Sequence, residues 1–165
     1  NGLVKASLTP PENIRHANEG MDVSICLIET HKNLVTFAAA KQDLYYTQGD
    51  DVRLIKGNRQ SIGYHQSKSL FSYTNHKIDL NSQPTSFYLT TDGWLDQGSE
   101  KPPHFPYGKK RFMKSIKDHS HLPMAKQKTA FLSDMEQWQS AEEAYDDITL
   151  LGFSVFSRHY IKNQL

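Results

Sequence analysis

The sequence predicts an α+β fold, and three observations carry the prediction. Apolar and polar residues alternate along several short segments between Met21 and Thr91, the period-2 mark of half-buried strands. After Gly93 the pattern breaks into a Pro- and Gly-rich loop, followed by two stretches with helical spacing. A last apolar run, Ile148 to Phe156, then closes the chain as a strand long enough to run through a sheet centre. Strands first, helices next and one closing strand is the order of an α+β domain.

Residues Asn1 to Ala17 read as the tail of a helix and a connector interrupted by Pro10-Pro11. In Met21 to Glu29 the apolar positions are 21, 23, 25 and 27, so that face is expected to be buried. Thr30 to Asn33 is a polar turn, and Leu34 to Ala40 pairs back as a hairpin. Leu44 to Thr47 and Val52 to Ile55 flank Gly49-Asp50-Asp51, a second hairpin signature. A Gly-containing loop from Lys56 to Gly63 leads to three strand candidates, Leu70 to Tyr73, Lys77 to Leu80 and Phe87 to Thr91. Gln97 to Lys110 is an irregular loop, and Arg111 to His119 and Met124 to Trp138 are helical. In the second helix Met124, Phe131, Met135 and Trp138 share a core-facing side with Leu132 beside them, and Pro123 suits its first turn. Ser140 to Tyr145 is an acidic loop.

A chain of 165 residues can bury a core, and eight Tyr, eight Phe and two Trp make that core aromatic-rich. The net charge of +1, from 19 basic and 18 acidic residues spread along the sequence, argues against a nucleic-acid footprint or a polybasic membrane patch. Lys109-Lys110-Arg111 is the one tight basic triplet and reads as a solvated helix start. The single cysteine, Cys26, excludes an internal disulfide and a cysteine-based zinc site, which points to a reducing, cytoplasmic setting. No stretch approaches the roughly 20 apolar residues of a membrane span. The chain does not begin with Met, so it reads as a piece of a larger protein that could itself be membrane-tethered.

Two segments carry the chemistry. Thr90-Thr91-Asp92-Gly93-Trp94 ends one apolar run and Asp146-Asp147-Ile148-Thr149 opens another. Each puts acid at a strand end, where a turn would bring the carboxylates together as a hard divalent cation requires. Taken alone, Asp92-Gly93 is an ordinary turn and Asp146-Asp147 the end of an acidic loop.

In chain order, the segments resemble the SpoIIE-type branch of the metal-dependent PPM (protein phosphatase 2C-like) serine/threonine phosphatases. Gly20-Met21-Asp22-Val23-Ser24 is similar to its strand-opening motif, and Phe37-Ala38-Ala39-Ala40 with Leu44-Tyr45 to its small-residue strand and turn. Lys56 to Gly63 resembles its glycine loop, and Tyr88 to Gly93 its acidic motif. Tyr107 to Phe112 and Asp146 to Leu150 complete the series.

The resemblance implies an antiparallel β-sandwich flanked by helices, with two divalent ions, Mn²⁺ or Mg²⁺, at one sheet edge. Residues 1–19 would be helix tail and connector, 20–157 the C-terminal portion of the phosphatase domain, and 158–165 a tail. Asp92 would be a metal ligand, Gly93 would let the backbone approach the site, and Asp146 would be the second carboxylate. Asp147 would orient Asp146 or bind in its place. The implied partner is a phosphorylated bacterial signalling protein of the anti-sigma-factor-antagonist kind, and unpaired sheet edges would favour a homodimer. The family also carries an upstream Asp followed by a Gly-His-Gly turn, which this sequence lacks. An N-terminally incomplete domain, with weak metal affinity and little turnover by this chain alone, is therefore expected. The rival expectation is a truncated phosphatase fold acting as a non-catalytic interaction module.

Other residues have plainer readings. His119 and His121 are expected to be exposed at a helix end, Trp94 and Trp138 to pack, and Cys26 to be a buried, unreactive thiol. Asp22 matches the family pattern with no metal role, Asp96 lies at the surface or beside the site, and Lys56 and Arg59 lie in a solvated loop.

Overall fold

The structure, a computed structural model, describes Leu3 and residues 20–64, 66–68, 70–80, 83–99, 105–139 and 146–156. Among the described residues there are seven strands: β1 (Val23–Glu29), β2 (Leu34–Ala40), β3 (Leu44–Gln48), β4 (Asp51–Ile55), β5 (His76–Asp79), β6 (Thr85–Thr90) and β7 (Leu150–Val155). Three helices, α1 (Asp92–Asp96), α2 (Gly108–His119) and α3 (Met124–Trp138), lie between β6 and β7. The fold is α+β, with two antiparallel sheets and helices. The chain divides into two compact units, Asn1–Asp43 with Ile55–Asp79, and Leu44–Leu54 with Leu80–Leu165.

The first unit holds the three-stranded sheet β1-β2-β5. The predicted hairpin forms, with Val23 opposite Ala40 and Glu29 opposite Leu34. Its turn places Asn33 at φ 49°, a left-handed conformation that Asn tolerates better than branched residues do. In β2, Val35, Phe37, Ala39 and Ala40 are buried. The loop before β5 is tied by Asn58, whose amide donates to Thr74 Oγ1 at 3.2 Å while its carbonyl accepts the Thr74 N–H at 2.9 Å.

Two sequence expectations fail in this unit. Met21, Ile25 and Leu27 are 46%, 64% and 57% exposed, so the alternating face of β1 is not half-buried. Alternation fixes which residues share a face; no described residue covers this one. Leu70 to Tyr73 is not a strand. Its aromatic pair serves the loop instead, Phe71 meeting Tyr73 edge-on at 4.9 Å and the Tyr73 hydroxyl donating to the carbonyls of Gln60 and Ser61.

The second unit holds the sheet β4-β3-β6-β7. The β3–β4 hairpin turns through Gly49 at φ 63°, as its sequence signature predicts. Leu44, Tyr45, Tyr46 and Thr47 are all buried, as an interior strand requires. The core is aromatic: Tyr45, Tyr88, Trp94, Tyr107, Phe112 and Phe131 cluster with Ile116 and Met135. Phe112 meets Tyr45 edge-on at 4.8 Å, and Tyr88 meets Phe131 at 5.8 Å. Helix α2 buries Phe112, Ser115 and Ile116, and α3 buries Gln127, Phe131 and Met135, the spacing of a core-facing stripe. Each fully buried aromatic ring contributes roughly 1.5–3 kcal/mol of transfer free energy.

Gln127 is the polar member of that stripe, and composition gave no sign of it. It accepts the Tyr88 hydroxyl at 2.8 Å and donates to the Leu122 carbonyl at 2.7 Å, which satisfies two buried groups at once. Burial pushes the Tyr88 phenol above its usual 10.0. Leu132, expected beside the core, is 47% exposed. Strand β7 is at the sheet edge among the described residues rather than through its centre, because β6 is its one partner. The helical tail and connector at Asn1 to Ala17 (Leu3 apart) and the acidic loop at Ser140 to Tyr145 lie outside the described residues.

Candidate metal centre

The β6–β7 ladder runs from Thr85↔Val155 to Thr90↔Leu150, and both candidate acidic segments leave it at the same end. Thr91 stands opposite Thr149 as the next pair. Its N–H donates to the Thr149 carbonyl at 3.1 Å. The reciprocal bond goes elsewhere: the Thr149 N–H donates at 2.9 Å to Thr91 Oγ1 rather than to a main-chain carbonyl. The same hydroxyl donates to the Asp147 carbonyl at 3.0 Å. The neighbouring Thr90, 9% exposed, donates its hydroxyl to the Thr149 carbonyl at 3.0 Å.

Past Thr91 the chain turns into α1, a five-residue helix absent from the sequence expectations. Thr91 occupies its N-cap position yet makes no side-chain capping bond, since its hydroxyl is committed to the segment before β7. Asp92 supplies the local bond instead, its Oδ1 accepting the Gly93 N–H at 3.1 Å. Asp146 does the same, its Oδ1 accepting the Asp147 N–H at 2.7 Å. Both carboxylates are thus held at one oxygen by the amide that follows them. Asp92, Asp146 and Asp147 are exposed.

Gly93 is buried, and the reason is contact. A Cβ at this position would lie 2.6 Å from the Asp147 carbonyl oxygen and 3.3 Å from the Asp146 carbonyl carbon. Only a residue without a side chain lets the two segments meet this closely. Trp94, 3% exposed, anchors α1 from below by packing on Tyr107, Phe112 and Phe131. Trp138 supports the segment after α1, donating its indole N–H to the Gln97 carbonyl at 3.0 Å, while the Arg111 guanidinium stacks over its ring at 4.2 Å. Behind Ile148 an apolar cavity of about 480 Å³ lies between α3 and β7, with no acidic side chain among the described residues that line it.

The oxygens on the two segments that meet here, the carboxylates of Asp92, Asp146 and Asp147 and the Asp147 carbonyl, are of the hard kind that Mg²⁺ and Mn²⁺ take. In kind they fit such an ion. In number they do not complete a two-ion centre, since no three His, Cys, Asp or Glu side chains among the described residues are grouped to hold a metal.

The remaining candidates lie apart from this arrangement in role. Asp22, Lys56, Arg59 and Asp96 are exposed. The Cys26 thiol is partly buried, and burial pushes its pKa up, which keeps it protonated and unreactive. His121 is exposed as expected, but His119 is not a free helix-end histidine. Its Nε2 lies 2.9 Å from Asp134 Oδ2, an oxygen that also accepts the Ser115 hydroxyl, and its ring meets Phe131 edge-on at 5.8 Å. This group joins α2 to α3. Sequence reading missed Thr91 and Thr149, whose Thr-Thr-Asp-Gly and Asp-Asp-Ile-Thr settings read simply as strand ends.

Residues 2–156 match the family described as Stage II sporulation protein E (SpoIIE). Among solved structures the chain is similar to the SiaA-PP2C domain of Pseudomonas aeruginosa, at 33% identity and a TM-score of 0.71. That match covers 81% of this chain and 51% of the SiaA chain, so this chain spans about half the length of that relative. No curated protein matches it. The chain belongs to the SpoIIE family, as a phosphatase domain of the SpoIIE-type PPM branch.

Proposed function

We propose that this domain serves a metal-dependent protein serine/threonine phosphatase, acting on phosphoserine or phosphothreonine in a bacterial signalling partner in the cytoplasm. The observation that carries the reading is the meeting of the Asp92-Gly93 turn with Asp146-Asp147 at one end of the β6–β7 ladder. Asp92 and Asp146 would hold Mn²⁺ or Mg²⁺, and Asp147 would stand in reserve beside them. Divalent ions at such a site neutralise phosphate oxygens and lower the pKa of bound water. The chain's own contribution is to fix the carboxylates: the following amides orient Asp92 and Asp146, and Gly93 removes the bulk that would separate them. A protein substrate is in keeping with the PP2C relative and with an exposed, open rim. Among the described residues no helix is long and apolar enough to cross a membrane.

A second reading has its own observation. The lack of a three-ligand cluster among the described residues favours a non-catalytic interaction module. Mn²⁺ binding followed by water-proton relaxation, beside Mn²⁺-dependent hydrolysis of a phosphoserine peptide, separates the two. The phosphatase reading expects weak Mn²⁺ binding and slow hydrolysis, both lost in Asp92→Asn. Wild-type protein that neither binds Mn²⁺ nor hydrolyses the peptide supports the interaction module.

A further inference from the structure

We infer that the Thr91 hydroxyl is a positioning group for the metal centre, setting the distance between the Asp92 and Asp146 carboxylates; this rests on the metal reading above. Three features of its geometry point the same way. The hydroxyl replaces a backbone carbonyl as acceptor for the Thr149 N–H, which releases the main chain to leave the ladder at Thr91 and turn into α1. It donates at the same time to the Asp147 carbonyl, so one atom spans residues 147 and 149 from the residue just before Asp92. That carbonyl is the group against which Gly93 rests, so a donor and a bare Cα fix the Asp147 peptide between them.

A helix N-cap threonine ordinarily gives its oxygen to the first free N–H groups of its own helix. Thr91 does not. Its two bonds lie at exposed positions, where water competes and a hydrogen bond adds little stability. Their consequence is geometric. The carbonyl they hold lies on the Asp147–Ile148 peptide, and the N–H that holds Asp146 Oδ1 is on the other side of the same Asp147 Cα, so the hydroxyl reaches the second carboxylate through the Asp147 backbone. Thr90 provides the contrast, being buried, bonded to the Thr149 carbonyl and without contact to Asp147 among its hydrogen bonds.

The test compares Thr91→Val, Thr91→Ser, Thr90→Val and Asp92→Asn in the full chain, reading Mn²⁺ affinity by electron paramagnetic resonance and the melting midpoint in EDTA. Supporting contacts of this kind affect metal affinity by about 10–100-fold. Thr91→Val is expected to weaken Mn²⁺ binding by about tenfold or more with little change in melting, and Thr91→Ser to restore it to within about twofold. Thr90→Val is expected to melt earlier by about 2–4 °C and to keep its Mn²⁺ affinity. Unchanged affinity in Thr91→Val, with binding abolished in Asp92→Asn, overturns the positioning role and leaves the metal reading standing. Equal affinity losses in Thr90→Val and Thr91→Val also overturn it, showing general loosening of the ladder end. Wild-type affinity in Asp92→Asn removes the metal reading and this inference with it.

Discussion

In the three-stranded sheet the apolar stripe of β1 faces solvent, with Ile25 64% and Leu27 57% exposed. In the four-stranded sheet the helix-facing side chains Tyr45 of β3 and Tyr88 of β6 are sealed, at 0% and 1% exposure. The two strand sets look equally apolar in sequence. The difference lies in what the second unit provides: α2 and α3 lay Phe112, Ile116, Phe131 and Met135 into the same cluster as Tyr45 and Tyr88. Hydrophobic stabilisation follows area removed from water, so similar strands contribute very differently depending on what lies over them. The candidate metal centre is built in the covered unit, where Trp94 ties α1 into the aromatic core. A rigid base of that kind is what holds exposed carboxylates in place.

The largest effect should come from the core beneath that site. Phe112 is fully buried, 4.8 Å from Tyr45 and 6.1 Å from Trp94 between ring centroids. Phe112→Ala is expected to cost about 3–5 kcal/mol in urea denaturation, lost transfer energy and cavity together. Against a typical total of about 5–15 kcal/mol, that is a large fraction. A loss below about 1 kcal/mol would show that the helices do not seal the sheet as described.

Gly93→Ala comes next. The new methyl would meet the Asp147 carbonyl at 2.6 Å, and that oxygen belongs to backbone already held by Thr91. Overpacking of this sort costs about 1–3 kcal/mol, and moving the Asp147 segment should also weaken Mn²⁺ binding. Gly152→Ala in β7 is the control, since its nearest neighbours, Met124 Sδ and a Tyr88 ring carbon, would be at an ordinary 3.5 Å. It should stay within about 0.5 kcal/mol of wild type. Similar melting and Mn²⁺ affinity in the two variants would mean that the close approach at Gly93 has no bearing on the site.

The outline of the fold was legible because its signals are local. Period-2 alternation located β1, the polar turn after it located β2 as its hairpin partner, the Gly49 turn located the β3–β4 hairpin, and the Phe131–Met135–Trp138 spacing located α3. The acidic segments were legible too, as Asp-Gly and Asp-Asp at strand ends, and the ordered resemblance led to the family that the comparisons show. What stayed hidden depends on contacts across the chain. Thr91 and Thr149 are 58 residues apart, and nothing in either segment says that a hydroxyl will stand in for a ladder carbonyl. The His119–Asp134 contact spans 15 residues and two helices, so a histidine near a helix end was read as solvated. Leu70 to Tyr73 misled for the converse reason, since two aromatic residues at i, i+2 satisfy the strand pattern while their hydroxyl and ring contacts organise a loop.

The smallest expected effect is the most discriminating for the comparison between the sheets. Ile25→Thr and Leu27→Thr keep strand-compatible side chains while removing apolar surface from β1. At 64% and 57% exposure little of that surface is buried, so each change should fall within about 0.5 kcal/mol of wild type in urea denaturation. Val35→Thr in the adjacent strand β2 is the matched control. Val35 is fully buried, and a hydroxyl there should cost about 1–3 kcal/mol unless it finds a partner. A difference between β1 and β2 of this size would establish that the sheet is one-sided in solution. Losses of 2 kcal/mol or more at Ile25 and Leu27 would mean the opposite: the β1 face is covered, and the alternation from Met21 to Leu27 marks a buried surface after all.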